Sequence, residues 1–165
     1  MLWAAVAVVL APNPDAILLI RRADRTGDPW SGHMALPGGR RELGDSSLLD
    51  TAVRETWEEV GFRLRPSDMA GVLDDVIPRT PVLPPIAVRP YVFITTARPE
   101  TTLSEEVSTA TWIPLNHLLL PETHHPVRLD VAGQTWLVEA FELPNGIVWG
   151  MTERILTQLL KYFRD

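Results

Sequence analysis

The sequence predicts an α/β (α+β) fold in which helices pack against a mixed β-sheet. Strand-like runs come first along the chain, followed by a helical pattern, further strand-like runs and a final helical pattern, an order typical of such a sheet. The 165 residues include 45% hydrophobic and 22% charged side chains, which is sufficient for one substantial core. No internal repeat or long linker interrupts the chain, so residues 1–165 are predicted to form a single domain.

Two long strands and one short strand are predicted before Pro37. Residues 3–11 and 16–21 are aliphatic and β-branched runs, and the turn-forming sequence Pro12-Asn13-Pro14-Asp15 separates them. Residues 22–32 are polar and contain glycine and proline, which predicts a loop. Residues 33–36 form a short strand that ends at a Pro-Gly-Gly sequence, where we predict a tight turn.

A helix is predicted to begin near Ser47 and to end at Gly61. Ser46 or Ser47 can cap its N-terminus, and Asp50 lies where a capping box usually has Glu or Gln. Its less polar side carries Trp57 together with alanine, valine and threonine. We expect that side to be buried, and we expect most of the six tryptophans to lie in the core.

The second half of the chain contains strands, a hairpin and a helix. Strands are predicted at about 70–77, 86–96 and 107–113, and residues 127–143 are predicted to form a hairpin that turns near Gly133. From about 150 to 163, leucine, isoleucine and phenylalanine recur at helical spacing, which predicts an amphipathic helix that faces the core.

Three carboxylates on the first helix, Glu55, Glu58 and Glu59, are the main candidates for chemistry. Their spacing of three and four residues places them on one face over a single turn, where like charges repel by a few tenths of a kcal/mol per pair. Hard cations such as Mg²⁺ select carboxylate and carbonyl oxygens, and glycine allows a carbonyl to come close. The three glutamates behind Gly38-Gly39 therefore indicate a divalent-cation site, the alternative being a solvated acidic face.

Composition excludes several classes of function. The absence of cysteine excludes disulfides, zinc-thiolate sites and cysteine nucleophiles, and fits a cytoplasmic protein. The net charge of −6 argues against broad nucleic-acid binding. No apolar stretch is long enough to span a membrane, so no membrane association is expected. Fourteen of the fifteen basic residues are arginine, a residue suited to bidentate phosphate contacts. The four histidines show no metal-ligand spacing.

The segment from Gly39 to Phe62 contains a glycine and a spaced acid, followed by Arg54-Glu55 and by Glu58-Glu59-Val60-Gly61. In this order it resembles the signature of the Nudix hydrolase family. Its second half, Arg54-Glu55-Thr56-Trp57-Glu58-Glu59-Val60-Gly61-Phe62, matches the pattern Arg-Glu-apolar-x-Glu-Glu-x-Gly-apolar, except for Thr56 at a usually aliphatic place. In the first half, Asp45 replaces the usual Glu, and eight residues rather than seven separate it from Arg54. The resemblance implies a Nudix-like α/β/α sandwich with a mixed β-sheet.

The longer spacing is similar to that of the coenzyme A pyrophosphatase-like branch of the family. Further segments outside the signature also resemble this branch, and they include Leu18-Leu19-Ile20-Arg21-Arg22-Ala23, Leu36-Pro37-Gly38-Gly39, Val88-x-Pro90-x-Val92, Glu106-Val107 with Trp112-Ile113-Pro114-Leu115, and Trp149-Gly150-Met151-Thr152. The branch pattern has a second arginine where this chain has Gly27, and Arg25 is the candidate replacement. Coenzyme A or its derivatives are therefore the first substrate candidates.

The resemblance implies hydrolysis of the diphosphate bond in a nucleoside diphosphate-linked small molecule, with Mg²⁺ or Mn²⁺ as cofactor. The implied catalytic residues are Glu55, Glu58, Glu59 and Arg54, and the implied metal ligands are Glu55, Glu58, Glu59, Gly39 and Glu106, with Glu105 as the alternative to Glu106. Arg22, Arg25 and Trp30 are the candidates for substrate binding. Arg54 is expected to pair with Glu58, four residues later. Glu42 and Asp45 are assigned either to the surroundings of the metal or to the turn before the helix.

Other functions stay open at this stage. Within the same class, the substrate can be ADP-ribose, a dinucleotide or a nucleoside triphosphate. A different class is a non-catalytic Nudix-like module that senses a nucleotide, although loss of a signature glutamate would favour it and none is lost. A homodimer is possible for either class.

Overall fold

The computed structural model describes residues 1–24, 26, 33–79, 85–131 and 133–164. The strands of the larger sheet are β1 Leu2–Ala11, β2 Ala16–Arg22, β3 Met34–Ala35, β4 Gly38–Arg40, β5 Met69–Val72, β6 Ile86–Ile94 and β7 Val107–Pro114. The strands of the smaller sheet are β8 His124–Val131, β9 Gln134–Leu143 and β10 Gly146–Val148. The α-helices are α1 Leu48–Val60, α2 Leu115–Leu119 and α3 Gly150–Leu160. Within the described ranges, no helix is both long and apolar enough to cross a membrane.

Strand β1 organises the larger sheet. It runs antiparallel to β2 and β4 and parallel to β6, from Leu2 opposite Ile86 to Leu10 opposite Ile94. β2 also pairs with β3 and β7, and β6 also pairs with β5, all antiparallel. The predicted mixed sheet is therefore confirmed.

Alternate residues of β1 supply the two cores on opposite faces of the sheet. Ala5, Ala7 and Val9 belong to a core with α1, whereas Val8 and Leu10 belong to a core with α2, α3 and β9. Burial of one large aliphatic side chain stabilises a fold by roughly 1.5–3 kcal/mol. The two cores thus hold helices on both sides of the sheet, and the predicted α/β/α sandwich is confirmed.

Several elements differ from the sequence-based prediction. The Pro-Gly-Gly sequence enters strand β4 rather than a glycine turn, and the short helix α2 was not predicted. Strand β10 adds a third strand to the predicted hairpin, and α3 ends at Leu160 rather than near 163. None of the tryptophans that the structure describes is fully buried, and Trp57 is 47% exposed, so the prediction of a tryptophan-rich core was wrong.

Candidate functional site

The close approach of β4 to β1 explains the glycine at position 38. A Cβ atom on Gly38 would lie 2.4 Å from the carbonyl oxygen of Ala5, so β4 can lie against β1 at this point only without a side chain. A Cβ atom on Gly39 would lie 2.6 Å from Oε1 of Glu55. The backbone of β4 therefore contacts the carboxylate of a predicted metal ligand directly.

Helix α1 is fixed at both ends. The hydroxyl of Ser47 accepts a hydrogen bond from the backbone N–H of Asp50 at 3.1 Å, which confirms the predicted cap. Gly61 ends the helix in the left-handed region, with φ of 80°, and its N–H donates to the carbonyl of Trp57. The carboxylates are thus presented from a rigid element.

The three glutamates of α1 form a series from the interior to the solvent. Glu59 is 5% exposed, whereas the side chains of Glu55 and Glu58 are 17% and 52% exposed. The backbone N–H of Gly38 donates to Oε1 of Glu59 at 2.8 Å. β4 therefore contacts both inner carboxylates, Glu55 through Gly39 and Glu59 through Gly38.

Burial raises the pKa of Glu59 to about 7, because the charged form is poorly solvated. The hydrogen bond from Gly38 and the charge of Arg22 oppose this shift, and the charges of Glu55 and Glu106 add to it. Burial also raises the pKa of Glu55. The charges of Arg22 and Glu106 therefore both act on the carboxyl group of Glu59.

Arg54 connects the glutamates to the loop before the helix. Its Nη1 lies 3.0 Å from Glu55 and 3.1 Å from Glu58, so the predicted pairing with Glu58 is confirmed. Its Nε and Nη2 donate to the two carboxylate oxygens of Asp45 at 2.9 and 3.0 Å, a bidentate contact. The guanidinium thus fixes the relative positions of three acidic side chains.

Asp45, whose role the sequence left ambiguous, is buried and accepts several hydrogen bonds. It is 6% exposed and also accepts hydrogen bonds from the Thr51 hydroxyl and the Glu42 backbone N–H, both at 2.9 Å. These donors, above all Arg54, hold the pKa of the Asp45 carboxyl well below its usual range. Thr51 escaped prediction because a threonine on the buried side of a helix has no pattern that separates it from core residues.

The donors on this surface fit a hard divalent cation by type. They combine three carboxylates on one helical turn with a strand whose two glycines contact two of them. Within the described ranges, no three Asp, Glu or His side chains converge closely enough to hold a metal ion. Instead, Arg54 lies between Glu55 and Glu58. When a cation binds, Glu55 and Glu58 would therefore exchange their contacts to Arg54 for contacts to the ion.

The loop between β6 and β7, residues 95–106, brings Glu106 to this surface. The backbone N–H of Thr102 donates to the carbonyl of Val60 at 2.8 Å, and that of Ser104 donates to the carbonyl of Glu59 at 3.1 Å. The carbonyl of Glu106 accepts from the N–H of Ala23 at 2.9 Å, which places the end of β2 and Arg22 beside it. Arg25 and Trp30, the other two candidates for substrate binding, lie outside the described residues.

Residues 1–132 match the model of the NUDIX domain family. The chain belongs to the Nudix family. This match covers both the carboxylate helix and the Glu106 loop, so the predicted family is confirmed. It does not separate the coenzyme A pyrophosphatase-like branch from the other Nudix branches.

Related sequences agree with the Nudix assignment. An uncharacterised protein of Schizosaccharomyces pombe is 44% identical over 119 residues, which is 69% of this chain but only 36% of that protein. This chain therefore spans little more than a third of that relative. Uncharacterised Nudix hydrolases named NudL are 30% identical over 158 residues in Cronobacter sakazakii and 31% identical over 155 residues in Yersinia pestis. These two matches cover 94% and 93% of this chain and 80% and 75% of the relatives.

Solved Nudix structures share the fold. The NUDIX domain of Shewanella oneidensis NrtR, complexed with ADP ribose, has a TM-score of 0.67 and 17% identity, and the match covers 99% of this chain and 89% of that domain. A MutT/nudix family protein from Enterococcus faecalis has a TM-score of 0.65 and 16% identity, over 98% of this chain and 61% of that one. At these identities the likeness is one of fold.

A further contact in this Nudix domain was not found from the sequence. His33 follows the segment that contains Trp30, and its Nδ1 accepts a hydrogen bond from the indole N–H of Trp149 at 3.1 Å. His33 immediately precedes β3 and Trp149 immediately precedes α3, so the contact links the start of β3 to the start of α3. Residues 116 positions apart carry no local pattern that predicts such a pair.

Proposed function

We propose that this chain is a Mg²⁺- or Mn²⁺-dependent Nudix pyrophosphatase that cleaves the diphosphate bond of a nucleoside diphosphate-linked substrate. The enzyme class rests on the family match and on Nudix hydrolase relatives that span nearly the whole chain. The observation that carries the proposal is the graded set of three glutamates on α1, held between the glycines of β4 and the guanidinium of Arg54. All three glutamates of the signature are present in the sequence.

Glu55, Glu58 and Glu59 are the proposed ligands of the cation, with the carbonyl of Gly39 and the side chain of Glu106 as additional donors. When bound, the cation supplies Lewis-acid polarisation of the diphosphate and lowers the pKa of a bound water. Before a cation binds, Arg54 holds Glu55 and Glu58 in position through its contacts of 3.0 and 3.1 Å, and the cation would take over these contacts. Arg22, whose charge already acts on Glu59, offers a cation to a substrate phosphate.

Coenzyme A or a derivative is the first substrate that we propose. The support is the sequence itself, in the eight-residue spacing before Arg54 and in the segments around Arg22 and Trp149. ADP-ribose, dinucleotides and nucleoside triphosphates are the alternatives. This chain has Gly27 where the branch pattern has an arginine, so these alternatives are tested as well.

A hydrolysis panel tests the proposal. Coenzyme A, ADP-ribose, NADH, diadenosine polyphosphates and dNTPs are each incubated with the protein and Mg²⁺ or Mn²⁺, and the products are identified by chromatography. We expect cleavage at a diphosphate bond and no cleavage after chelation of the metal. Inactivity on the whole panel together with tight binding of one compound would replace the enzyme with a nucleotide-sensing module.

Glutamate variants test the assignment of the site. Glu58→Gln and Glu59→Gln are each expected to lower kcat/KM by about 10²-fold or more, because each removes a charge from the cation site while keeping the shape of the side chain. Glu139→Gln, on an exposed position of β9, is the matched control and should leave the rate unchanged. Circular dichroism checks that α1 stays folded. Near-native rates in both site variants would show that the metal assignment is wrong.

A further inference from the structure

A cleft of about 210 Å³ lies between the segment that follows α1 and the loop that follows β6. Residues 62–65 line one side, and residues 95–99 line the other. Phe62 and Leu64 are 9% and 3% exposed, so this part of the lining is apolar and largely closed to water. The arginines of the lining, by contrast, are exposed.

The charges around this cleft do not balance. Arg63, Arg65 and Arg98 line it together with one acid, Asp68. Arg65 already makes a bidentate pair with Asp68, with two contacts of 3.1 Å. In the part of the chain that the structure describes, neither Arg63 nor Arg98 has a carboxylate within ion-pair distance. Among the described residues, two positive charges at the cleft thus have no acidic partner, in a chain whose net charge is −6.

Aromatic rings hold these two arginines. The guanidinium carbon of Arg63 lies 4.8 Å from the ring centroid of Trp57, and that of Arg98 lies 5.9 Å from that of Trp112. Arg98 also donates to the carbonyl of Pro14 at 3.1 Å. Stacking uses the face of a guanidinium and leaves N–H donors at its edge available. Both side chains are therefore positioned before any ligand arrives.

We propose that this cleft is an anion site, separate from the carboxylates of α1, that binds the phosphate group of a small ligand. Two fork-shaped donors above an apolar lining match the charge and the several acceptor oxygens of a phosphate. Free phosphate and the phosphate of a mononucleotide offer the same chemistry. The site needs neither the metal nor catalysis, so it stands independently of the proposed function.

The cleft also lies at the start of the loop that ends at Glu106. Arg98 and Pro99 line the cleft, and Thr102 and Ser104 then hydrogen-bond to the last turn of α1. An anion that joins residue 63 to residue 98 would tie the start of this loop to the segment that follows α1. Occupancy of the cleft is therefore expected to restrict the loop that presents Glu106.

Titration followed by amide chemical shifts tests the site. The whole chain is titrated with inorganic phosphate, AMP and adenosine in the presence of EDTA, so that no divalent cation contributes. We expect shifts in residues 62–65 and 95–99 with phosphate and with AMP, and none there with adenosine. Tighter binding of AMP than of phosphate would identify a mononucleotide as the source, and equal binding would identify free phosphate. Shifts confined to residues 38–59 would overturn the proposal.

Substitutions make the test specific. Arg63→Gln and Arg98→Gln are each expected to weaken phosphate binding about tenfold, since each removes one charge-assisted donor set. Arg128→Gln removes the same charge from an exposed position on β8 and should not change the affinity. Arg63→Lys keeps the charge without the fork and should bind with intermediate affinity, which gives a second variant if the glutamine variants unfold. Equal affinities in wild type and all variants would overturn the proposal.

Discussion

Asp45 and Glu59 are both buried carboxyl groups, yet their surroundings shift their pKa values in opposite directions. Asp45 receives hydrogen bonds from Arg54, Thr51 and the backbone of Glu42, and these donors outweigh its burial. Glu59 receives one backbone hydrogen bond, from Gly38, which does not offset the loss of water around its charge. In the absence of a bound cation, Asp45 therefore stabilises the fold as a carboxylate, and Glu59 is easier to bury as a neutral acid.

This difference predicts how the stability of the metal-free protein depends on pH. Glu59 holds its proton up to about pH 7 in the folded chain, against an ordinary value of 4.5. The free energy of unfolding should therefore fall as pH rises from 4.5 to 7, by up to about 3 kcal/mol. Denaturant unfolding in EDTA at pH 4.5, 6 and 8 measures this change. The contribution of Asp45 to the free energy of unfolding stays constant in this range, because it is lost only as the pH falls below 3.8, the pKa of Asp45 in the unfolded chain.

Glu59→Gln isolates the contribution of this carboxyl group. Glutamine keeps an acceptor oxygen for the N–H of Gly38 but has no proton to lose, so the decline above pH 4.5 should become much shallower, and Glu55, whose pKa burial also raises, accounts for the remainder. Parallel profiles for wild type and variant over this range would contradict the assignment of the pH dependence to Glu59.

At the scale of elements, the loop before α1 and the helix act as one unit because Asp45 binds side chains from two successive turns of the helix. Its partners are Thr51 and Arg54. Asp45→Asn keeps the size of the side chain but removes the charge that Arg54 neutralises. We expect a loss of about 1–3 kcal/mol in the free energy of unfolding, since a buried partner of a charged pair is left poorly satisfied. Denaturant unfolding at pH 7 without metal measures it.

Asp68→Asn is the matched control for this prediction. Asp68 also makes a bidentate contact with an arginine, but Arg65 has a side chain that is 69% exposed, so water screens the pair. Its loss should lower the free energy of unfolding by less than about 1 kcal/mol. If the two substitutions cost the same, burial of Asp45 would not be the reason for its importance.

Elements with strong local signals were predicted correctly, and those that depend on distant contacts were not. Ser47 and Gly61 mark the ends of α1 by their own backbone preferences, so both were found from the sequence. The Pro-Gly-Gly sequence has the composition of a turn but enters a strand, because β1 lies alongside it and tolerates no side chain at Gly38. Trp57 has helical spacing with apolar residues, but it lies outside the core beneath Arg63.

At the scale of the whole molecule, the sequence predicted the layers but not the order of the strands. The parallel pairing of β1 with β6 joins residues 84 positions apart, and no local pattern encodes such a partner. The same limit applies to the site. The glutamates of α1 follow from helical spacing, whereas the approach of Arg22 and Glu106 to Glu59 depends on how β2 and the loop before β7 are placed by the sheet.

The core beneath α3 connects the two sheets, and this connection predicts cooperative unfolding. Leu156 is fully buried in a cluster that includes residues of β1, β2, β6, α2 and β9. Leu156→Ala should lower the free energy of unfolding by about 3 kcal/mol, because it leaves a cavity where the larger sheet, the smaller sheet and α3 meet. Leu137→Ala, on β9 but 72% exposed, should change it by less than about 0.5 kcal/mol. Unfolding by denaturant is followed by circular dichroism and by tryptophan fluorescence. If the layers form one cooperative unit, both signals shift together in Leu156→Ala, whereas a shift in only one of them would show that the smaller sheet and α3 unfold separately.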